Sequence, residues 1–120
     1  MSRYIDGFVI PIPTSCIDEY RLMAEQAAII WKDHGALDYW ECVGDDMDIK
    51  DVLPFTQLAN TTPDETVIFA WVVFESKEAR DAANTAIFVD PRMQTIMDTS
   101  NPIFDCKRMA YGGFRQLVHA

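Results

Sequence analysis

Cysteine and histidine are both scarce in this 120-residue chain. Three cysteines without a Cys-x-x-Cys pair do not make the disulfide framework of a small secreted protein, so we expect a reducing, cytoplasmic compartment. The two histidines have no further ligand at metal-binding spacing. Glycine-rich phosphate loops and the Gly-x-Ser-x-Gly and His-Glu-x-x-His motifs are also missing. The sequence therefore predicts no metal and no other cofactor.

Positively charged residues are also scarce. Lysine and arginine number 10 against 19 aspartate and glutamate residues, which gives a net charge of −9. Such a chain repels phosphate backbones and anionic lipids, so we expect neither nucleic acid nor a membrane as a partner. The first residues show no signal-peptide core, and no apolar run is long enough to span a bilayer.

The pattern of apolar and turn-forming residues predicts six main elements. Strands are expected at residues 4–12, 36–43, 66–74 and 107–118, and helices at residues 14–34 and 76–89. We expect Thr14 or Ser15 to cap the first helix, Gly35 to end it and Ser76 to cap the second. A short helical turn is predicted at residues 92–97. The acidic segment 45–65 is unusually long for a loop, which is typical of lids and of arms that embrace a partner.

The element order βαββαβ is that of the ferredoxin-like fold, an α+β arrangement with a four-stranded antiparallel sheet and two helices on one face. We expect residues 1–120 to form one such domain. In this arrangement the sheet face without helices should alternate toward polar residues.

The third predicted strand breaks that alternation, because both of its faces are apolar. Val67, Phe69, Trp71 and Val73 share one face, and Ile68, Ala70, Val72 and Phe74 share the other. A second copy packed sheet to sheet would cover the exposed face and so form a homodimer. The segment 45–65 or a ligand could cover it instead, and the sequence does not say which face meets a partner.

His34 is the first candidate functional residue, as a general base or a hydrogen-bond partner for a substrate. Trp31 lies one helical turn before it, and Trp40 follows on the second strand. If the Trp40 face is directed toward the helices, then Trp31, Trp40 and Cys42 could line a pocket with His34 at its mouth. The alternative is that His34 only interacts with the last carbonyls of its helix and that the other three are core residues.

The last strand supplies two further candidates. Arg108 and Tyr111 could bind an anionic or carbonyl group of a substrate, and the neighbouring Gly112-Gly113 pair predicts a bulge or a close approach by a backbone or ligand. The alternative for this segment is a kinked central strand with a salt bridge at the edge of the sheet.

Three segments carry a resemblance to a known family. Residues 4–13 (YIDGFVIPIP), 34–42 (HGALDYWEC) and 107–114 (KRMAYGGF) resemble a family of short bacterial proteins of unknown function called YbaA-like. That family resembles the dimeric α/β-barrel superfamily, whose members include cofactor-independent monooxygenases, haem-dependent enzymes, stress-related small-molecule binders and ligand-sensing domains. The resemblance implies a face-to-face dimer with a site between sheet and helices.

These observations predict a small homodimeric protein that binds a small molecule in a cleft between sheet and helices, and the resemblance to the superfamily implies that it could be a cofactor-independent, monooxygenase-like enzyme. The alternative is a non-enzymatic ligand-binding or stress-response dimer. A third interpretation is an interaction module that uses the acidic segment 45–65.

Overall fold

A computed structural model describes residues 2–97 and 103–120 of the chain. Within these ranges it contains four strands: β1 (Tyr4–Pro13), β2 (Asp38–Val43), β3 (Glu65–Phe74) and β4 (Ala110–Arg115). The helices are α1 (Ile17–Asp33), α2 (Phe55–Leu58), α3 (Lys77–Phe88) and α4 (Pro91–Met97). Short 3-10 turns, Thr14–Cys16 and Cys106–Arg108, precede α1 and β4. No helix in the described ranges is both long and apolar enough to cross a membrane.

The strands form one antiparallel sheet in the order β2-β3-β1-β4. β1 and β3 lie in the centre and pair from Tyr4 opposite Phe74 to Pro13 opposite Glu65. β2 and β4 form the two edges. This is the strand arrangement of a ferredoxin-like fold, so the predicted fold class is confirmed.

The core lies between the sheet and the long helices α1 and α3. Even-numbered residues of β1 and β3 are directed toward these helices because side chains alternate between the two faces of a strand. The buried apolar side chains on this side of the sheet are Ile10, Ile12, Ile68, Ala70, Val72 and Phe74. The helices add Tyr20, Ala24, Ala27, Ile30, Ala83 and Ile87, many of them small enough for close packing of helix on sheet.

Two of the three predicted helix-end signals are confirmed. Gly35 adopts a φ of +110° just after α1, and the Ser76 hydroxyl accepts a hydrogen bond from the backbone N–H of Ala79 at 3.1 Å. The predicted cap of the first helix is wrong: Thr14 and Ser15 belong to the 3-10 turn, and α1 begins without a side-chain cap.

Two predicted strand starts are displaced by turns. Ala36 still donates a backbone hydrogen bond to the Trp31 carbonyl at 3.0 Å, so β2 begins at residue 38 rather than 36. The Asp105 carboxylate accepts from the Lys107 backbone N–H at 2.9 Å and stabilises the 3-10 turn that replaces the first residues of the predicted last strand. This strand also ends at residue 115 instead of 118, because its partner β1 begins only at Tyr4.

The glycine pair of β4 contains no bulge, since Gly112 and Gly113 lie in regular register opposite Gly7 and Asp6. The close approach predicted there exists, but a side chain makes it. A Cβ atom on Gly113 would lie 2.5 Å from the Tyr4 hydroxyl oxygen, so only glycine leaves room for this ring.

A buried ion pair connects β1, α3 and β4. The Asp6 side chain is 1% exposed, and its two carboxylate oxygens accept from Arg80 Nη1 at 2.7 Å and from the Tyr111 hydroxyl at 3.1 Å. The Arg80 guanidinium also lies 4.8 Å from the centre of the Tyr4 ring. With both carboxylate oxygens paired, this charge is tolerated at the edge of the core.

The face of the sheet opposite α1 and α3, called here the open face, carries a row of aromatic rings. We call Phe55, Phe69, Trp71 and Trp40 the aromatic strip. Their successive ring centroids are 5.8, 5.3 and 5.6 Å apart, and the two indoles are stacked with an interplanar angle of 12°. Phe55, on α2, brings the segment between β2 and β3 onto this face. Phe114 of β4 is also exposed on it, to 60%.

Removal of Arg80 should destabilise the fold. We expect Arg80→Met to lower the free energy of unfolding by about 3 kcal/mol, because it leaves the buried Asp6 carboxylate without its cation. The matched control is Arg21→Met, since Arg21 pairs with Asp18 at the surface and such pairs contribute less than about 1 kcal/mol. Urea unfolding measures both values. Equal effects of the two substitutions would contradict a stabilising role of the buried pair.

Candidate functional site

A cleft of about 280 Å³ separates α1 from the edge strand β2. Its walls are mainly apolar: Ile17, Ala24 and Ala28 on the helix and Val43 and Ile68 on the sheet. The alanines of α1 keep this space open, because larger side chains there would fill it. Mainly apolar walls with a few converging polar groups are typical of ligand sites.

The polar end of the cleft is a carboxylate held between two phenols. Glu41 Oε1 accepts a hydrogen bond from the Tyr20 hydroxyl, and Glu41 Oε2 accepts one from the Tyr39 hydroxyl, both at 2.6 Å. We call these three residues the Tyr-Glu-Tyr triad. Tyr20 comes from α1, whereas Tyr39 and Glu41 share the helix-facing side of β2, two residues apart.

The triad keeps its phenols protonated. Burial, the nearby Glu41 charge and the hydrogen bond to it raise the pKa of Tyr20 and of Tyr39 well above the ordinary value of 10. At neutral pH the two tyrosines are therefore neutral hydrogen-bond donors to Glu41. They are poorly suited to accept a proton from a substrate and well suited to hold the carboxylate in place.

His34 lies away from this cleft. It ends α1, and its Nε2 is 2.8 Å from Asp90 Oδ2 at the junction of α3 and α4. Asp90 also accepts two hydrogen bonds from the Arg92 side chain, and these, with the bond to His34, hold the pKa of Asp90 well below its usual range. The His34 side chain is 26% exposed and does not line the cleft between α1 and β2. The catalytic role suggested for it stays a prediction.

The two tryptophans predicted as pocket walls lie on opposite faces of the sheet. Trp31 packs against Tyr39 on the helix side, with ring centroids 6.1 Å apart, and its buried indole N–H has no hydrogen-bond partner among the described residues. Trp40 stacks on Trp71 on the open face and is 50% exposed. The pocket expected from Trp31, Trp40 and Cys42 therefore does not form, because the helix-facing side of β2 is that of Tyr39 and Glu41.

The two candidates from the end of the chain are engaged in separate contacts. Arg108 forms a two-pronged ion pair with Glu65, both distances being 2.8 Å, and also donates to the Asn60 carbonyl at 2.9 Å. Tyr111 donates to Asp6, as described above. The five residues predicted to form the site, Trp31, His34, Trp40, Arg108 and Tyr111, thus lie at distinct places, and a substrate-binding role for them stays a prediction.

A wider groove of about 630 Å³ lies between residues 13–15 and 62–65. Of its two carboxylates, Asp64 and Glu65, the second is paired with Arg108. Within residues 2–97 and 103–120, no three histidine, cysteine or acidic side chains come close enough together to hold a metal ion.

Comparison with known proteins identifies the family. Residues 3–106 match the family described as "Protein of unknown function (DUF1428)". The chain belongs to the DUF1428 family. It is 42% identical over 116 residues to proteins named "Uncharacterized protein YbaA" from Escherichia coli K12 and from Shigella flexneri, with 97% of each chain covered. The resemblance found in the three sequence segments is confirmed.

Solved structures share the fold of this DUF1428 chain. A nipsnap family protein of unknown function from Agrobacterium tumefaciens has a TM-score of 0.60 at 14% identity, covering 95% of this chain and 87% of that one. A dimeric ferredoxin-like protein of unknown function from Jannaschia has a TM-score of 0.58 at 13% identity, covering 92% and 97%. A second dimeric ferredoxin-like protein, from an uncultured marine organism, has a TM-score of 0.56 at 8% identity, covering 98% of this chain and 96% of that one. At these identities the likeness concerns the fold alone.

Strand alternation alone puts Tyr39 and Glu41 on one face of β2, but no local pattern in the sequence connects them with Tyr20. One signal was present: Glu41 is a charged residue flanked by aromatic and apolar neighbours, and such a residue needs a partner when it is partly buried. Tyr20 belongs to the apolar stripe of α1 and ends in a hydroxyl that also needs a partner. The distance of 21 positions between them hides this pairing from local patterns.

The Glu65–Arg108 pair should give this DUF1428 protein a distinct acid sensitivity. Hydrogen bonds from Arg108 and from the Thr62 backbone lower the pKa of Glu65 from its ordinary 4.5 to about 2. A carboxylate with a depressed pKa contributes stability above its unfolded pKa and loses it as the pH falls toward the folded value. We expect the free energy of unfolding to fall between pH 4.5 and 2, and to fall less steeply in Glu65→Gln.

Urea unfolding across that pH range measures the effect. Glu19→Gln, a charge change at an exposed position of α1, is the control. Its free energy of unfolding should fall with pH as steeply as that of the original protein. Parallel profiles for the original protein and Glu65→Gln would show that the ion pair does not carry this pH dependence.

Proposed function

We propose that this protein is a homodimer that binds a small molecule in the cleft between α1 and β2. The observation that carries the proposal is the Tyr-Glu-Tyr triad at one end of a mainly apolar cleft. A carboxylate with two hydrogen-bonded phenols is an ordered polar anchor, and the apolar walls supply the surface that a ligand's body would bury.

The aromatic strip supports the dimer. Trp40, Phe55, Phe69 and Phe114 are each 43–60% exposed, and at 150–250 Å² per aromatic side chain they present roughly 400 Å² of apolar surface on one face. A second copy packed open face to open face would cover this surface, as in a dimeric α/β barrel. Two of the structural neighbours are described as dimeric ferredoxin-like proteins, which agrees with this arrangement.

The geometry of the cleft favours binding over catalysis. Both phenol protons are committed to Glu41, and the carboxylate is stabilised by two donors, so none of the three groups is poised to remove a proton from a substrate. This supports the non-enzymatic ligand-binding or stress-response dimer. A cofactor-independent, monooxygenase-like activity, with His34 as acid or base, stays a prediction.

The net charge indicates which other partners are disfavoured, and the cysteines indicate the cellular compartment. A net charge of −9 disfavours nucleic acid and anionic membranes. Cys16, Cys42 and Cys106 are all unpaired thiols, which supports a reducing cytoplasm.

Filling the cleft should abolish ligand binding. We expect small apolar fragments with one polar group to give saturation-transfer NMR signals with the original protein, and these signals to disappear in Ala28→Phe, whose ring would occupy the cleft. Gln26→Phe adds the same ring at an exposed position of α1 and should keep the signals. Circular dichroism checks that both variants fold, and Val43→Trp, at the other wall, replaces Ala28→Phe if that variant does not fold.

Two results would contradict the proposal. One is the absence of any fragment signal with the original protein at millimolar concentration. The other is the survival of all signals in a folded, cleft-filled variant.

A further inference from the structure

We propose that the cleft selects ligands whose polar end donates hydrogen bonds, with a protonated amine favoured over an alcohol, and that it rejects carboxylates. The inference rests on the proposed function, since it names the class of ligand that the cleft between α1 and β2 would take. It follows from a count of the protons at the polar end of the cleft.

Every proton of the Tyr-Glu-Tyr triad is already used. A tyrosine hydroxyl has one proton, and an ionised carboxylate has none. The protons of Tyr20 and Tyr39 lie on separate oxygens of Glu41, at 2.6 Å each. The polar end of the cleft therefore presents only lone pairs: those of two phenol oxygens and the remaining ones of the carboxylate.

This arrangement is stable around neutral pH. Burial and the Glu41 charge raise the pKa of both tyrosines, so neither phenol loses its proton. A ligand oxygen without a proton would meet no donor in the triad and would lose its hydrogen bonds to water on entering, which opposes binding. An ammonium group has three protons to offer and meets acceptors only.

The charges that line the cleft also favour a protonated amine over a carboxylate. Glu41 is the carboxylate inside the cleft, and the ionised residues on the helix wall are Arg21 and Glu25, one of each sign. The Arg21 guanidinium is bonded to Asp18 at 3.1 Å, and its side chain is 62% exposed, so it belongs to the outer surface rather than to the polar end. The cleft thus has a net negative charge, which attracts a cation and repels an anion.

The volume limits the size of the ligand. At about 280 Å³ the cleft lies just below the range of roughly 300–1,000 Å³ that is typical of ligand pockets. It therefore fits a compact molecule, such as an amine on a single ring or short chain, and not a nucleotide cofactor.

Probes with one body and different polar ends test the inference. We would measure the dissociation constants of 2-phenylethylamine, 2-phenylethanol, phenylacetate and ethylbenzene for the full chain by NMR titration at pH 7. The expected order of affinity is amine, alcohol, hydrocarbon and carboxylate, with the amine at least tenfold tighter than the carboxylate. Loss of binding in Ala28→Phe shows that the probes occupy the cleft.

Glu41→Gln provides the second arm. The amide keeps the shape of the side chain but removes the charge and adds N–H donors, so amine affinity should fall at least tenfold and the preference over phenylacetate should disappear. Glu19→Gln makes the same change of net charge on the outer surface of α1 and should leave all four affinities as they were. If Glu41→Gln does not fold, the order of the four dissociation constants for the original protein tests the inference alone.

The outcomes separate this inference from the proposal on which it rests. Phenylacetate that binds in the cleft as tightly as the amine would overturn the ligand class and leave small-molecule binding intact. If none of the four probes binds in the cleft at millimolar concentration, both are contradicted. Equal losses of amine affinity in Glu41→Gln and Glu19→Gln would show non-specific attraction to an acidic protein and would also overturn the inference.

Discussion

The central strand β3 is apolar on both of its faces, and the rest of the structure depends on this constraint. Ile68, Val72 and Phe74 are buried under the helices, as one face of a ferredoxin-like sheet requires. On the other face, Phe69 and Trp71 are part of the aromatic strip, where a lone antiparallel sheet would carry polar residues. The long helices of a single chain cover only one of these faces, and on the other Phe69 and Trp40 are 44% and 50% exposed.

The alternation of side chains in β2 connects the open face to the cleft. Trp40 stacks on Trp71 on the open face, and this places its neighbours Tyr39 and Glu41 on the helix side, where they meet Tyr20. A shift of β2 by one residue would exchange both sets at once. Contacts that hold Trp40 in a dimer would therefore also hold the triad in its orientation, because both belong to the same edge strand.

The fold was predictable from the sequence because its signals are local and consistent with one another. The apolar stripe of α1, the stop at Gly35, the cap at Ser76 and the β-branched run of β3 each act over a few residues and favour the same topology. The strand starts that differ are also local effects: Asp105 nucleates a turn before β4, and the end of α1 extends to Ala36.

The site was less predictable because its contacts join residues far apart in the chain. Both faces of β2 carry aromatic and acidic side chains, so its own sequence does not decide whether Trp40 or Tyr39 is directed toward the helices. That choice depends on Trp71 and Tyr20, which lie on other elements. The pairing of Asp6 with Arg80, 74 positions apart, leaves no local pattern either, and neither does that of Arg108 with Glu65.

The most direct test of this account is the molar mass in solution, measured by sedimentation equilibrium. The account predicts twice the 13.7 kDa of one chain for the original protein, and 13.7 kDa for Trp71→Glu, which places a charge in the middle of the aromatic strip. Ile29→Glu, at an exposed position on the outer surface of α1, is the control and should remain a dimer. A monomer at all concentrations for the original protein, or a folded Trp71→Glu that remains dimeric, would contradict the claim that a second copy covers the open face.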